Sequence, residues 1–119
     1  MVGTYKFGII SEYIAIIYLF LKGYKILHRR YKTRLGEVDI IVKKGNNLVA
    51  VEVKARKKKT EIGEVVYNKQ FKRINNAMKI FLFKNPKYSN FNIRIDVILI
   101  LPFCFPESVE NAWMEKVRY

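Results

Sequence analysis

The stretch from Gly36 to Arg56, GEVDIIVKKGNNLVAVEVKAR, decides the fold. At its centre lies Gly45-Asn46-Asn47, residue types that accept positive φ and so mark a tight turn. Before the turn, Val38, Ile40 and Val42 alternate with Glu37, Asp39 and Ile41, and after it Leu48 to Arg56 resumes the same two-residue period. Two strands joined so closely form a hairpin, and the tip sets which residues oppose one another. A two-residue tip at Gly45-Asn46 puts Asp39 across from Glu52 and Glu37 across from Lys54, whereas a tip at Asn46-Asn47 puts Asp39 across from Lys54. Either tip keeps Asp39, Glu52 and Lys54 on one side of the sheet, and a three-residue turn breaks that arrangement. Val49, Val51 and Val53 fall on the other side with Val38, Ile40 and Val42, so the hairpin is expected to have an apolar face and a charged face.

Upstream, Tyr24 to Lys32 reads as a further strand. It follows a helix from Thr4 to about Lys22, in which Ile9, Ile10, Ile14, Ile17, Tyr18 and Leu21 recur at helical spacing and Gly23 supplies the stop. Within that helix Tyr13 to Leu21 is an unbroken apolar run. It is too short for the roughly 18 residues of a membrane span and lacks a cleavage pattern after it, so no membrane role is expected. Downstream, Lys57 to Gly63 is charged and aperiodic. A second helix starts near Asn68 with Phe71, Ile74, Met78 and Leu82 on one face, and Asn85-Pro86 ends it. Asn92 to Leu101 turns continuously apolar after Asp96, as in a strand covered on both faces, and Val109 to Met114 is expected to add an edge strand. The order αβββαβ, with a further strand, predicts an α/β fold whose mixed sheet is flanked by helices.

The chain has 119 residues, half of them apolar, which suits one domain over 1–119 with a real core. Lys and Arg outnumber Asp and Glu by 23 to 10, for a net charge of +13, and the partner that answers such a field is an anion, nucleic acid first. One cysteine, Cys104, and one histidine, His28, cannot build a disulfide or a Cys/His zinc site. A reducing, cytoplasmic setting is the expectation. Cys104, between two phenylalanines, reads as a small core residue, and His28 as a phosphate contact or an exposed strand residue.

Because acids are scarce, their positions carry information. Asp39 and Glu52 offer the oxygen ligands that Mg²⁺ prefers, the backbone carbonyl of Val53 offers another, and Lys54 stands ready to orient or deprotonate a water or to offset charge developing on a phosphate. Glu37 shares their face and is expected to pair with Lys54 or an arginine, and Asp96 with a base at the sheet end. Arg29, Arg30, Arg56, Lys57, Lys58, Lys59, Lys72 and Arg73 are assigned to phosphate contacts that carry no sequence specificity. Tyr31 and Tyr67 are candidates for stacking on unpaired bases, with packing as the default.

Asp39 followed by Glu52-Val53-Lys54 resembles the metal and lysine pattern of the PD-(D/E)xK nuclease superfamily. GEVDIIV, VAVEVKAR, the first helix with Gly8 and Glu12, Lys69-Gln70, Arg94-Ile95-Asp96-Val97 and Asn111-Ala112-Trp113 are similar, in order, to the small endonuclease-like family grouped with archaeal Holliday junction resolvases. Val38 departs from the proline that many superfamily members place before the aspartate. The resemblance implies a restriction-endonuclease-like fold, dependence on Mg²⁺ or Mn²⁺, and for the resolvase relatives a homodimer. It implies Glu12 as a third carboxylate at the metal, Asp39 and Glu52 as metal ligands, Lys54 as the catalytic lysine, and Lys69 or Gln70 as an auxiliary position. The expected function is a metal-dependent endonuclease acting on branched or structured DNA, leaving a 5′-phosphate and a 3′-hydroxyl. The alternatives are a non-catalytic nucleic-acid-binding module of the same fold, an RNA-directed nuclease and, behind these, a basic peripheral membrane protein.

Overall fold

In the computed structural model, which describes residues 4–56 and 68–111, helix α1 (Thr4–Leu21) leads into strands β1 (Lys25–Lys32), β2 (Glu37–Lys44) and β3 (Asn47–Ala55). Helix α2 (Asn68–Lys84), a short 3-10 turn (Pro86–Tyr88), β4 (Asn92–Ile100) and β5 (Glu107–Val109) follow. The five strands form one sheet in chain order. Neighbours are antiparallel except β3 and β4, which run parallel because α2 carries the chain back across the sheet. This is the expected mixed α/β sheet flanked by two helices. An edge strand is present, but at Glu107–Val109, paired with Val97 to Leu99, rather than over Val109 to Met114: Glu110 and Asn111 form a turn, and 112–119, with Ala112 and Trp113, lies outside the described residues, as do Lys57, Lys58, Lys59 and Tyr67.

The hairpin tip is Gly45-Asn46, closed by the Lys44↔Asn47 pair, with Gly45 at φ 59. From it the ladder runs to Ile40↔Val51. Both hairpin faces are covered, which corrects the expected apolar and charged sides. Ile41, Leu48 and Ala50 pack with Ile74, Ala77, Met78 and Phe81 of α2, and Ile40, Val42, Val49 and Val51 pack with Ala15 and Leu19 of α1. The charges instead collect past Ile40↔Val51, at the end of the hairpin away from the turn. Val38 also changes side, joining Ile41 under α2 rather than Ile40 and Val42. The β1–β2 register shifts between Ile26 and His28, and further along, between the pairs Arg29↔Ile40 and Tyr31↔Val38, Arg30 adopts a left-handed φ of 50. A side-chain residue at positive φ is uncommon and marks a local irregularity in the strand.

Helix α1 turns a different face inward than expected. Ser11, Ala15 and Leu19 are buried, whereas Ile10, Ile17 and Leu21 are exposed, Leu21 by 77%. The helix is apolar nearly all round, so periodicity does not single out a face. The small side chains of Ser11 and Ala15 let its axis approach the sheet. Helix α2 follows the expected pattern and ends at Asn85, whose side-chain amide donates to the Phe81 carbonyl. Cys104 is exposed in the β4–β5 loop beside exposed Phe103 and Phe105, so it is not a core residue. Asp96 is buried and takes two hydrogen bonds from the Arg94 guanidinium and one from the Asn111 backbone N–H, as its expected pairing with a base requires. Tyr31 packs edge-on against His28 and Phe81 rather than standing free to stack on a base.

Gly36, buried before β2, touches the backbone of α2. A Cβ there would lie 1.8 Å from the Arg73 carbonyl oxygen and 2.5 Å from its carbon. Backbone cannot yield as a flexible side chain does. Gly36→Ala is therefore expected to cost about 3 kcal/mol by displacing α2, read as a lower urea midpoint, and an unchanged midpoint would refute the close approach.

Candidate active site

Beyond the last ladder pair, the ends of β2 and β3 and the two helices enclose a cleft of about 400 Å³. Its floor holds Asp39, Glu52 and Lys54, α1 contributes Gly8, Ser11 and Glu12, and α2 contributes Gln70. An Asp39 carboxylate oxygen accepts a hydrogen bond from the Val53 backbone N–H at 2.8 Å, standing in for a ladder carbonyl. The side chain thereby reaches β3, where Asp39 and Glu52 line the same cleft and the Asp39 carboxylate disfavours ionisation of Glu52.

Glu52 is less solvated than Glu12 or Glu37. Its side chain is 12% exposed, Gln70 donates its amide to one carboxyl oxygen, and the Lys54 ammonium lies 3.9 Å from that oxygen. Burial, reinforced by the adjacent Asp39 carboxyl, pushes Glu52 up to about 9, while Lys54 and Gln70 oppose the shift.

Of the residues named from sequence, Glu12, Asp39, Glu52, Val53, Lys54, Arg56 and Gln70 all line the cleft. Val53 also packs against the α1 side of the core, and the Arg56 guanidinium donates to its neighbour's carbonyl, Ala55 O. Glu12 is engaged by the Arg30 guanidinium at 3.0 Å. Arg30, assigned from sequence to phosphate, is thus tied to a carboxylate, which leaves Asp39 and Glu52 as the half-buried carboxyl groups of the cleft. Among the described residues no group of three or more His, Cys, Asp and Glu side chains is placed to hold a metal ion. Glu37 lines the cleft but is exposed and makes no ion pair with Lys54 among the described residues. Arg29 sits over the Tyr13 ring at 4.8 Å, and Lys72 and Arg73 are exposed on α2 outside the cleft. Lys69 lies in the first turn of α2, next to Gln70.

Sequence reasoning missed Ser11. Its side chain is fully buried at the cleft wall, and its hydroxyl has no hydrogen-bond partner among the described residues. The available signal was a lone hydroxyl in an apolar helix immediately before Glu12.

A five-stranded mixed sheet between two helices, with an aspartate and an E-x-K strand meeting at its open end, defines a small α/β domain compatible with the restriction-endonuclease-like architecture. Residues 11–100 match the model of the Uncharacterised protein family UPF0102, and the chain belongs to that family. It is 40% identical over 110 residues to a UPF0102 protein of Mesorhizobium japonicum, covering 92% of this chain and 88% of that one. It is 36% identical over 111 residues to a UPF0102 protein of Parvibaculum lavamentivorans, covering 93% and 84%, and 39% identical over 113 residues to one of Chelativorans, covering 95% and 91%. Among the described residues no helix is long and apolar enough to cross a membrane.

Proposed function

We propose that this protein is a metal-dependent endonuclease that hydrolyses phosphodiester bonds in DNA, with branched or structured DNA as its substrate. The observation that carries the reading is that the half-buried Asp39 and Glu52 carboxyl groups line one cleft with Lys54 on a chain of net charge +13. A protein that only bound phosphate would gain nothing from two carboxyl groups there, and a purely structural position would be filled at lower cost by apolar side chains.

The donor set fits a divalent cation. Asp39 and Glu52 are hard oxygen ligands whose mutual repulsion a cation would relieve, and Val53 adds a backbone carbonyl next in sequence. Glu12, held by Arg30, stands outside that pair. Mg²⁺ or Mn²⁺ there would supply Lewis-acid polarisation of a phosphoryl oxygen. The chain's own residues supply the rest. Gln70 fixes the Glu52 carboxylate through its amide, and the Asp39 hydrogen bond to Val53 N–H fixes the other ligand to the strand. The Lys54 ammonium places positive charge where the scissile phosphate gains negative charge during water attack.

The test is cleavage of labelled four-way junction, flap, linear duplex and single-stranded DNA, and of matching RNA, with Mg²⁺ or Mn²⁺. Strand scission dependent on the metal is the expected result, with the junction or flap cut fastest. Salt-dependent binding of every substrate without scission would replace the nuclease by a binding module. In parallel, Asp39→Asn keeps side-chain volume and removes charge, so it is expected to abolish the divalent-ion isotherm in calorimetry with the fold intact. The same isotherm for both proteins would refute the ligand assignment.

A further inference from the structure

Three hollows follow one another along the rim of the sheet. The cleft holding Asp39 and Glu52 shares Glu12, Glu37 and Asp39 with a smaller hollow of about 250 Å³ beside Arg30. That hollow in turn shares Lys32 with an open cleft of about 720 Å³ between the β1–β2 turn and the end of α2. Lys32, Arg34 and Lys84 line this last cleft together with Thr33, Leu35 and Ile80, and no acid lines it.

The three cations are exposed, and among the described residues none of them forms an ion pair with a carboxylate, although Lys32 lies across the β1–β2 ladder from Glu37. Lys84 alone has a structural explanation, since a cation in the last turn of α2 complements the helix dipole. Lys32 and Arg34 do not share it. They flank a turn that is held rigidly: the Thr33 hydroxyl accepts from the N–H groups of Leu35 and Gly36 and donates to the Gly36 carbonyl, and Gly36 is pressed against α2. Three like charges fixed around one hollow repel each other until an anion enters. Leu35, 56% exposed, and Ile80 give that hollow an apolar floor that suits sugar rather than a free ion.

We propose that this basic cleft is a second nucleic-acid contact, in which Lys32, Arg34 and Lys84 grip the phosphates of the strand that runs along the rim from the Asp39–Glu52 site. The inference rests on the nucleic-acid reading of that site and adds the direction in which the backbone leaves it. None of these three residues stands in the carboxylate cleft.

The experiment is titration of fluorescently labelled duplex and single-stranded DNA by anisotropy in EDTA, from low to moderate salt, with two triple variants. Lys32→Gln/Arg34→Gln/Lys84→Gln is compared with Lys25→Gln/Lys79→Gln/Lys87→Gln, which removes the same charge from exposed positions outside the three hollows. Removing one cation that neutralises a duplex phosphate lowers the salt slope by about 0.9. The first variant is therefore expected to drop by about 2 to 3 in slope and at least tenfold in affinity at 0.1 M salt, and the second to keep a slope near that of the wild type. Equal losses in both variants, an unchanged slope in the first, or no DNA binding by the wild type would each overturn the proposal. Equal thermal midpoints check that both variants fold. Because binding is read without metal, the two readings fail separately. A protein that binds through this cleft and never cuts loses the nuclease reading alone, and one that cuts while the first variant binds normally loses the cleft alone.

Discussion

Lys54→Ala is expected to lower DNA cleavage by on the order of 10³-fold while leaving DNA affinity within about twofold. The side chain is 16% exposed, and its ammonium is 3.9 Å from a Glu52 oxygen, so its charge acts in a partly dry site where it counts for more than in water. Truncation removes the one positive side chain that opposes the upward shift of Glu52 and leaves the carboxyl pair without a cation beside it. Binding to the phosphate backbone is spread over many lysines and arginines, and the loss of one changes it little. Single-turnover cleavage and metal-free anisotropy measure the two effects separately. Parallel losses in both would make Lys54 a binding residue, and intact cleavage would remove it from the site. Lys54→Arg extends the test, since it preserves the charge and changes its shape: recovery of rate identifies charge as the contribution of Lys54.

The second large effect runs in opposite directions for stability and for metal binding. In the metal-free protein Glu52 is held up to about 9, against an ordinary carboxylate near 4.5 in the unfolded chain. The folded state therefore carries an extra proton between those values, and stability falls as pH rises through that window. The slope approaches about 1.4 kcal/mol per pH unit where the difference is one full proton. Glu52→Gln cannot ionise, so it removes this loss. In EDTA the variant is expected to match the wild type near pH 5 to within about 1 kcal/mol and to exceed it by about 4 kcal/mol at pH 8.5, read from urea midpoints. Parallel pH profiles for the two proteins would refute the raised Glu52. Added Mg²⁺ or Mn²⁺ is expected to raise the wild-type midpoint at pH 8.5 and to leave that of the variant unmoved.

Much of this site was legible because its determinants are local. The tip of the hairpin lies at Gly45-Asn46, one of the two positions consistent with the sequence, and either of them brings Asp39 near Glu52 and Lys54. Helix α2 was readable because its apolar residues occupy one stripe, and β4 because a continuous apolar run suits only a strand covered on both faces. What was not legible involves choices between equivalent partners. Helix α1 offers apolar side chains in every direction, so its buried face depends on which residues let it approach the sheet, and these proved to be Ser11 and Ala15. Arg30 is one of 23 cations, and nothing in its neighbourhood along the chain marks it for Glu12, which lies 18 positions away. The charged face expected of the hairpin failed for a related reason. Ile41 and Ala50, placed among polar positions by alternation, are covered by a helix that arrives from later in the chain.

The sequence by itself determined the order of the elements, the turn that registers β2 with β3, and the residue types that can hold a cation or meet a phosphate. Turn preference, strand period and charge are properties of short segments, expressed before distant parts of the chain meet. Only the tertiary structure decided that Asp39 and Glu52 line a half-open cleft between the helices, that Glu12 is engaged by Arg30, and that Ser11 is buried at its wall without a hydrogen-bond partner among the described residues. It also decided that Lys32 and Arg34 share a hollow with Lys84, 50 and more positions further along the chain. These are matters of proximity and desolvation. Both depend on how α1 and α2 pack against opposite faces of the sheet, and that packing is settled by the whole fold.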